Sequence, residues 1–179
     1  VLELPADPLG YARALRECPL FERLAISAED GERARYYAEQ RGRGELQRAA
    51  ASLEEFYRSL AQLVEMAPLE NATLARAAEL TRKTNQFNLT TRRRGEAQLA
   101  ALAAEPDCEV WTARVADRFG DNGLVALLIL RRAGEACEIE SLLMSCRVIG
   151  RTVETAVLAF AASRARTMGA KRLEGWFIP

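Results

Sequence analysis

Residues 145–154, with the sequence SCRVIGRTVE, contain the side chains whose types and spacing best suit the binding of a phosphate group. A helix that follows directly on an apolar strand leaves backbone N–H groups unpaired, and its dipole favours negative charge there. Glycine lets the backbone approach a ligand closely, and arginines can fork around phosphate oxygens. The stretch therefore predicts a site for a pyrophosphate or a phosphopantetheine phosphate, with a capped helix bearing two surface arginines as the structural alternative. The residues predicted to make the contacts are Arg147, Val148, Ile149, Gly150, Arg151 and Thr152.

A second group of polar residues lies in the 84–94 segment, which has the sequence TNQFNLTTRRR. Amides and hydroxyls surround a single aromatic ring, and residues 81–94 include five basic residues and no acidic one. Such a stretch can hold a polar ligand or face an acidic partner. Alternatively, its Asn and Thr side chains merely cap two neighbouring helices. The candidate contacts are Asn85, Gln86, Phe87, Asn88, Thr90 and Arg92.

The composition excludes several classes of function. The chain has 25 Lys and Arg against 25 Asp and Glu, which argues against a nucleic-acid partner or a membrane surface. It has no histidine, which excludes a Ser-His-Asp arrangement and a His-ligated metal site within these residues, and we predict no metal site. None of its four cysteines forms a Cys-x-x-Cys pair, and the natural expectation is a reduced, cytoplasmic protein. Residues 1–10 lack the features of a signal peptide, and the missing initiator Met suggests that the sequence starts inside a longer chain.

Residues 1–62 are predicted to form a helical connector. Helix starts are expected at Asp7-Pro8, at a capping box on Ser27 and at a second capping box on Ser52. Gly42 and Gly44 should weaken the long middle helix. The connector has too few apolar residues for a core of its own, and the charge on every face of residues 33–48 predicts a solvated helix.

Residues 63–179 are predicted to form an α+β domain, with a mostly antiparallel mixed sheet flanked by helices. The expected strands are 63–69, 109–117, 124–131, 138–145 and 173–178, and the expected helices are 71–85, 95–105 and 152–168. The Asp121-Asn122-Gly123 sequence is a strong signal for the turn of a hairpin between the second and third strands.

The spacing Arg147-x-x-Gly150-x-Thr152 resembles the Gln/Arg-x-x-Gly-x-Gly/Ala signature of the GNAT acyltransferase superfamily. In that family the loop grips the pyrophosphate of acyl-coenzyme A, so the resemblance implies a GNAT-like fold. The implied ligand is coenzyme A or the phosphopantetheine of a carrier protein. Thr152 departs from the signature, and its branched side chain narrows the approach of a ligand. The GNAT fold needs another helix and two more strands after residue 178, so we expect the domain to be incomplete, truncated at its C-terminal end.

Residues 84–93, 117–124 and 145–151 together resemble the C-terminal part of FkbH-like proteins, and residues 11–24 and 29–37 resemble the connector of that family. Those modular enzymes join a phosphatase-type domain of the haloacid dehalogenase superfamily to a GNAT-like domain. The resemblance implies that a glyceryl group from 1,3-bisphosphoglycerate is loaded as a thioester on an acyl carrier protein, for polyketide biosynthesis. It also implies a phosphatase-type domain as partner, in cis or in trans, and Mg²⁺ only in that domain.

No catalytic residue is assigned in this chain. The catalytic Asp-x-Asp motif and the acyl-accepting Cys of FkbH-like proteins lie in their phosphatase domain, and this chain contains no Asp-x-Asp. Because a GNAT base is often a Glu on a central strand, Glu138, Glu140 and Glu174 are weak candidates. Cys146 lies beside positive charge, but without a neighbouring base it is interpreted as a small buried packing residue. Two alternative functions remain: a non-catalytic module that docks a carrier protein, and an independent acetyl-coenzyme A-dependent N-acetyltransferase.

Overall fold

The computed structural model describes residues 5–17, 28–84, 87–88 and 90–176. The chain divides into two compact units, Val1–Gly42 and Arg43–Pro179. Residues 43–62, which the sequence predicts as the last part of the helical connector, lie in the same compact unit as the sheet.

The first unit contains a short 3-10 helix, Pro8–Gly10, and helix α1, Tyr11–Arg16. The carboxylate of Asp7 accepts a hydrogen bond of 3.0 Å from the N–H of Leu9, which confirms the predicted helix start. Helix α2, Ala28–Ala49, begins in this unit and runs through Gly42 and Gly44, because a helical glycine costs only about 1 kcal/mol relative to alanine. The predicted capping residue Ser27 lies outside the described residues.

Helix α3, Leu53–Leu60, begins at a capped serine as the sequence predicts. The hydroxyl of Ser52 accepts a hydrogen bond of 3.1 Å from the N–H of Glu55, and the carboxylate of Glu55 accepts one of 2.8 Å from the N–H of Ala51. Phe56 and Leu60 are buried, so this short helix packs its apolar side inside the second unit.

The second unit is built on a five-stranded sheet in the order β1-β2-β3-β4-β5. Neighbouring strands pair antiparallel except β4 and β5, which pair parallel. A mixed, mostly antiparallel sheet in an α+β domain confirms the predicted fold class. The strands are β1 Leu63–Pro68, β2 Cys108–Asp117, β3 Gly120–Ala133, β4 Ala136–Met144 and β5 Arg172–Gly175.

Helices cover both faces of this sheet. Helices α4, Asn71–Lys83, and α5, Glu96–Ala103, pack on one face, and α6, Val153–Thr167, packs on the other. In α6 the fully buried residues recur at every fourth position, which is the spacing of one helical face. Those residues are Val153, Val157, Ala161 and Ala165.

The turn between β2 and β3 differs from the prediction. The two turn residues are Arg118 and Phe119, and the carboxylate of Asp117 accepts a hydrogen bond of 2.9 Å from the N–H of Phe119. The predicted Asp-Asn-Gly turn lies instead within β3, where the register with β2 shifts twice. Gly123, with φ +70°, supplies the left-handed conformation that an irregular strand needs there. The sequence motif therefore marks a β-bulge and not the hairpin turn.

Candidate functional site

Eight residues, 145–152, connect the end of β4 to the start of α6, and six of them form the predicted 147–152 loop. Val148 is fully buried and anchors the loop in the core beneath α6. Arg147 and Gly150 are exposed, and Gly150 has φ +75°. Thr152 also adopts a left-handed conformation, with φ +64°. The first N–H groups of α6, which have no intrahelical partners, begin directly after this loop.

Two side chains from the α3 region hold the carbonyl groups of the loop. The hydroxyl of Tyr57 donates to the carbonyl of Gly150 over 3.2 Å, and Nε2 of Gln62 donates to the carbonyl of Arg151 over 2.9 Å. The N–H of a trans peptide points opposite to its carbonyl. The N–H groups of Arg151 and Thr152 therefore face away from Tyr57 and Gln62, and the loop presents them together.

The side chain of Arg151 points into the protein, which corrects its predicted role as a fork around a phosphate. Its Nη1 donates to Asp117 over 2.8 Å and its Nη2 donates to Asn122 over 3.3 Å. Arg43 binds the same carboxylate through Nε at 2.8 Å and Nη2 at 3.0 Å. The side chains of Arg43, Asp117 and Arg151 are 4%, 0% and 8% exposed, so this buried charge cluster fixes the base of the loop. Only the backbone of Arg151 remains available to a ligand in this arrangement.

The charges in this cluster remain ionised. Burial raises the pKa of Asp117, but hydrogen bonds from Arg43 and from the N–H of Phe119 and the two arginine charges outweigh it, so the net pKa is lowered. Burial lowers the pKa of Arg151, as does the charge of Arg43, while Asp117 and Glu154 oppose that change. A guanidinium stays protonated in proteins. The loop therefore rests on a carboxylate held between two cations.

One N–H group of the loop already binds an anion. The N–H of Gly150 donates to Oε1 of Glu154 over 2.6 Å. Glu154 lies in the first turn of α6, where the helix dipole stabilises a negative charge. The carboxylate thus occupies a donor that the sequence predicts for a phosphate oxygen.

The described residues of the 84–94 segment lie along the edge of β4 next to the same loop. Among the described residues, strand β5 pairs with β4 from Ala136 to Ile139, and another chain segment lies beside β4 further along, toward Met144. Asn88 forms an antiparallel bridge with Leu143, and the N–H of Met144 donates to the carbonyl of Phe87 over 3.0 Å. The structure therefore brings the two predicted segments together at the end of β4.

Three described side chains of this segment, Thr90, Arg92 and Arg94, bind residues of β4. The hydroxyl of Thr90 donates to the carbonyl of Glu140 over 3.2 Å. Arg94 binds the carboxylate of Glu140 and donates to the hydroxyl of Ser141 over 2.6 Å, and its side chain is only 10% exposed. Arg92 is 55% exposed and reaches the carboxylate of Glu140 at 3.4 Å. Asn85 and Gln86 lie outside the described residues. The basic surface predicted for a partner is thus reduced by the burial of Arg94.

The acidic candidates for a catalytic base differ in their surroundings. Burial raises the pKa of Glu140, but a hydrogen bond from Arg131 and the charges of Arg94, Arg131 and Arg92 together lower it by more. The net pKa of Glu140 is therefore below its ordinary value. Glu140 is therefore a weak base. Glu174 forms an ion pair of 3.0 Å with Arg172 at the surface. Glu138 lies on β4 opposite Arg131.

Cys146 is exposed, so its interpretation as a buried packing residue is wrong. Of the cysteines that the structure describes, Cys108 and Cys137 are buried, and burial raises the pKa of Cys108 to about 11 and also raises that of Cys137. Within the described ranges, His, Cys, Asp and Glu residues form no group of three or more that could hold a metal ion. No helix in the described part of the chain is long and apolar enough to cross a membrane.

Several residues that shape this site carry no local sequence signal of that role. Tyr57 and Gln62 lie in the predicted connector, and Asp117 and Asn122 lie near a predicted turn. Glu154 is different, because an acidic residue in the first turn after a glycine-containing loop is a recognisable helix-start feature.

No protein-family model matches the chain, and no curated protein matches it by sequence. Solved structures do share its fold. A ribosomal-protein-alanine N-acetyltransferase from Brucella melitensis biovar Abortus 2308 superposes with a TM-score of 0.50 and 19% identity, over 65% of this chain and 81% of that one. A GNAT family acetyltransferase from Staphylococcus aureus gives 0.51 and 10% identity, over 65% and 87%. The AAC(6′)-Iy complex with the bisubstrate analog CoA-S-monomethyl-acetylneamine gives 0.51 and 11% identity, over 65% and 81%.

These similarities establish the fold of the second unit. Its mixed five-stranded sheet, flanked by helices on both faces, is the α+β fold of GNAT acetyltransferases. At 10–19% identity, these structural similarities establish the architecture of the chain and do not establish an activity.

Proposed function

We propose that the second unit binds a phosphate-bearing pantetheine arm, as free coenzyme A or as the phosphopantetheine of an acyl carrier protein. We further propose that it does so as part of an FkbH-like enzyme, in which a phosphatase-type domain with Mg²⁺ loads a glyceryl group onto the carrier in the cytoplasm. The resemblance of residues 84–93, 117–124 and 145–151 to FkbH-like proteins supports the proposed enzyme. The geometry of the 147–152 loop supports the proposed binding of a pantetheine arm.

The observation that carries the proposal is the anion-binding geometry of the 147–152 loop. Its carbonyl groups are bound on one side by Tyr57 and Gln62, and the N–H of Gly150 binds a carboxylate oxygen at 2.6 Å. A phosphate oxygen requires the same kind of donor. Arg147, at the exposed surface of the loop, adds the positive charge that a phosphate favours. The AAC(6′)-Iy complex, which has the same fold, contains a coenzyme A-derived ligand.

A docking module without catalysis is the second candidate, and the environment of Glu140 favours it. This glutamate lies on a central strand, where a base is expected, yet Arg94 and Arg131 bind its carboxylate and lower its pKa. A carboxylate held in this way is a poor proton acceptor. The loop would then hold the carrier arm while chemistry takes place on another domain.

Calorimetric titration of the full chain with coenzyme A, with a holo-carrier protein and with the same carrier lacking its phosphopantetheine tests the proposal. We expect binding of coenzyme A and of the holo form but not of the form without the arm. Arg147→Ala should weaken both about tenfold or more, because a charge-assisted hydrogen bond contributes about 1.5–3 kcal/mol. Arg172→Ala removes an exposed arginine from β5 and serves as the matched control.

The position of the ligand can be tested through Cys146, which is exposed beside the loop. In a Cys18→Ser background, acetyl-coenzyme A should slow alkylation of Cys146, while the buried Cys108 and Cys137 remain unreactive. Binding without protection of Cys146 would move the site elsewhere. Absence of binding by both coenzyme A and holo-carrier would refute the proposed function. Binding to holo-carrier alone would favour docking, and acetyl transfer from coenzyme A to an amine would favour an N-acetyltransferase.

A further inference from the structure

The donor that a ligand phosphate needs is occupied by a side chain of the protein. Glu154 lies four residues after Gly150, and its Oε1 is 2.6 Å from the Gly150 nitrogen. The backbone at Gly150 is left-handed, with φ +75°, and its N–H points to a carboxylate in the first turn of α6. The contact is therefore built into the path of the chain between β4 and α6.

A carboxylate and a phosphate compete directly for such a donor. One N–H forms one strong hydrogen bond at a time, so a phosphate oxygen can bind Gly150 only after the carboxylate has left. If the carboxylate stays nearby, its negative charge repels the phosphate, and the repulsion is strong in a partly desolvated site. Glu154 is only partly exposed, which limits the screening of its charge by water.

We infer that Glu154 is a built-in competitor that lowers the affinity of the 147–152 loop for phosphate ligands. This inference rests on the proposed function of the loop. A free inorganic anion gains only the loop contacts and fails to displace the carboxylate. A phosphate carried on a pantetheine arm gains further contacts along the arm, and these compensate for the displacement. The residue thereby keeps weakly bound inorganic phosphate and pyrophosphate out of the loop, while a pantetheine-bearing ligand retains enough affinity to bind.

The test compares the full chain with its Glu154→Gln and Glu154→Asp variants, titrated calorimetrically with coenzyme A and with inorganic pyrophosphate. Glu154→Gln removes the charge and should tighten binding of coenzyme A about tenfold, equivalent to about 1.4 kcal/mol. It should tighten binding of pyrophosphate by a similar factor, because both ligands displace the same carboxylate. Glu154→Asp keeps the charge but is one methylene too short to reach the Gly150 N–H, so its effect should be intermediate. Glu96→Gln is the control, because Glu96 is the first-turn acid of α5 on the other face of the sheet.

The outcomes separate this inference from the proposed function. If Glu154→Gln binds coenzyme A more tightly than the parent, and the affinity of Glu96→Gln is unchanged, the role of Glu154 as a competitor is supported. If coenzyme A binds the parent and Glu154→Gln equally, Glu154 is only a helix cap and the inference is wrong, while the proposed function stands. If no form of the chain binds either coenzyme A or a holo-carrier protein, both are wrong. Thermal unfolding of each variant, followed by circular dichroism, checks that a weaker ligand response is not a loss of fold.

Discussion

The 147–152 loop and the 84–94 segment meet at the end of β4, but the structure uses their polar groups in opposite ways. Tyr57 and Gln62 bind the carbonyl groups of Gly150 and Arg151, so the N–H groups of the next two residues face away from Tyr57 and Gln62. The 84–94 segment buries Arg94 and Thr90 against Glu140 and Ser141. The first arrangement leaves donors for a ligand, and the second uses them to close an edge of the sheet.

Backbone donors and side-chain donors differ in how well the sequence predicts their positions in these two segments. Two arginines that the sequence assigns to surfaces, Arg94 and Arg151, bind the acids Glu140 and Asp117 inside the protein. A long basic side chain can fold back to a buried acid, whereas a backbone N–H points where the chain path directs it. The direction of a backbone N–H therefore follows from the local path of the chain, whereas the position of a long side chain depends on partners that are distant in the sequence.

The strongest test of this contrast is the buried acid beneath the loop. Asp117→Asn leaves Arg43 and Arg151 without their shared carboxylate, and breaking a buried ion pair by removing one partner costs about 3 kcal/mol or more. We expect a loss of this size in the free energy of unfolding by urea at neutral pH. Glu135→Gln, which breaks the exposed pair with Lys171, is the control and should cost less than about 1 kcal/mol.

The same variant should change the dependence of stability on pH. Because the pKa of Asp117 is lowered in the folded state, its ionisation stabilises the protein fully above the unfolded value of about 3.9. That contribution is lost as the pH falls through the lowered folded pKa. The difference in stability between the parent and Asp117→Asn should therefore narrow below about pH 4. A constant difference across this range would show that Asp117 acts through packing alone.

Local sequence patterns predicted the mixed sheet, the start of α3 at Ser52 and the strand-to-helix loop, because each depends on neighbouring residues. They failed where partners are far apart in the chain. Arg151 lies 34 residues from Asp117, and Arg43 lies 74 residues from it. The hairpin turn was misplaced for a related reason, because Asn122 is held inside the protein by Arg151 and by the carbonyl of Val115. Such pairings depend on the assembled sheet, which local patterns do not contain.

A substitution of intermediate effect tests whether the backbone of the loop makes the contacts. Gly150→Ala places a side chain in a left-handed conformation, at a cost of about 1–2 kcal/mol, although a Cβ there meets nothing within 4 Å. Gly134→Ala is a close control, with φ +62° and equally open space in the β3–β4 turn. Both variants should lose similar stability in urea, but only Gly150→Ala should weaken binding of coenzyme A. Equal affinity in the two variants would mean that the loop backbone does not contact the ligand.

The smallest expected effect concerns Arg92, the exposed arginine of the 84–94 segment. Its ion pair with Glu140 spans 3.4 Å with the arginine 55% exposed, so Arg92→Ala should change stability by less than about 1 kcal/mol. Affinity for coenzyme A should stay unchanged, because the loop is untouched. Affinity for an acidic holo-carrier protein should fall about threefold at low salt. The fall in affinity should be smaller at high salt, because salt screens interactions between exposed charges beyond about 10 Å. Arg172→Ala removes another exposed arginine, on β5, and is the control. If it weakens binding of the carrier protein as much as Arg92→Ala does, the net charge of the protein rather than this segment determines the affinity.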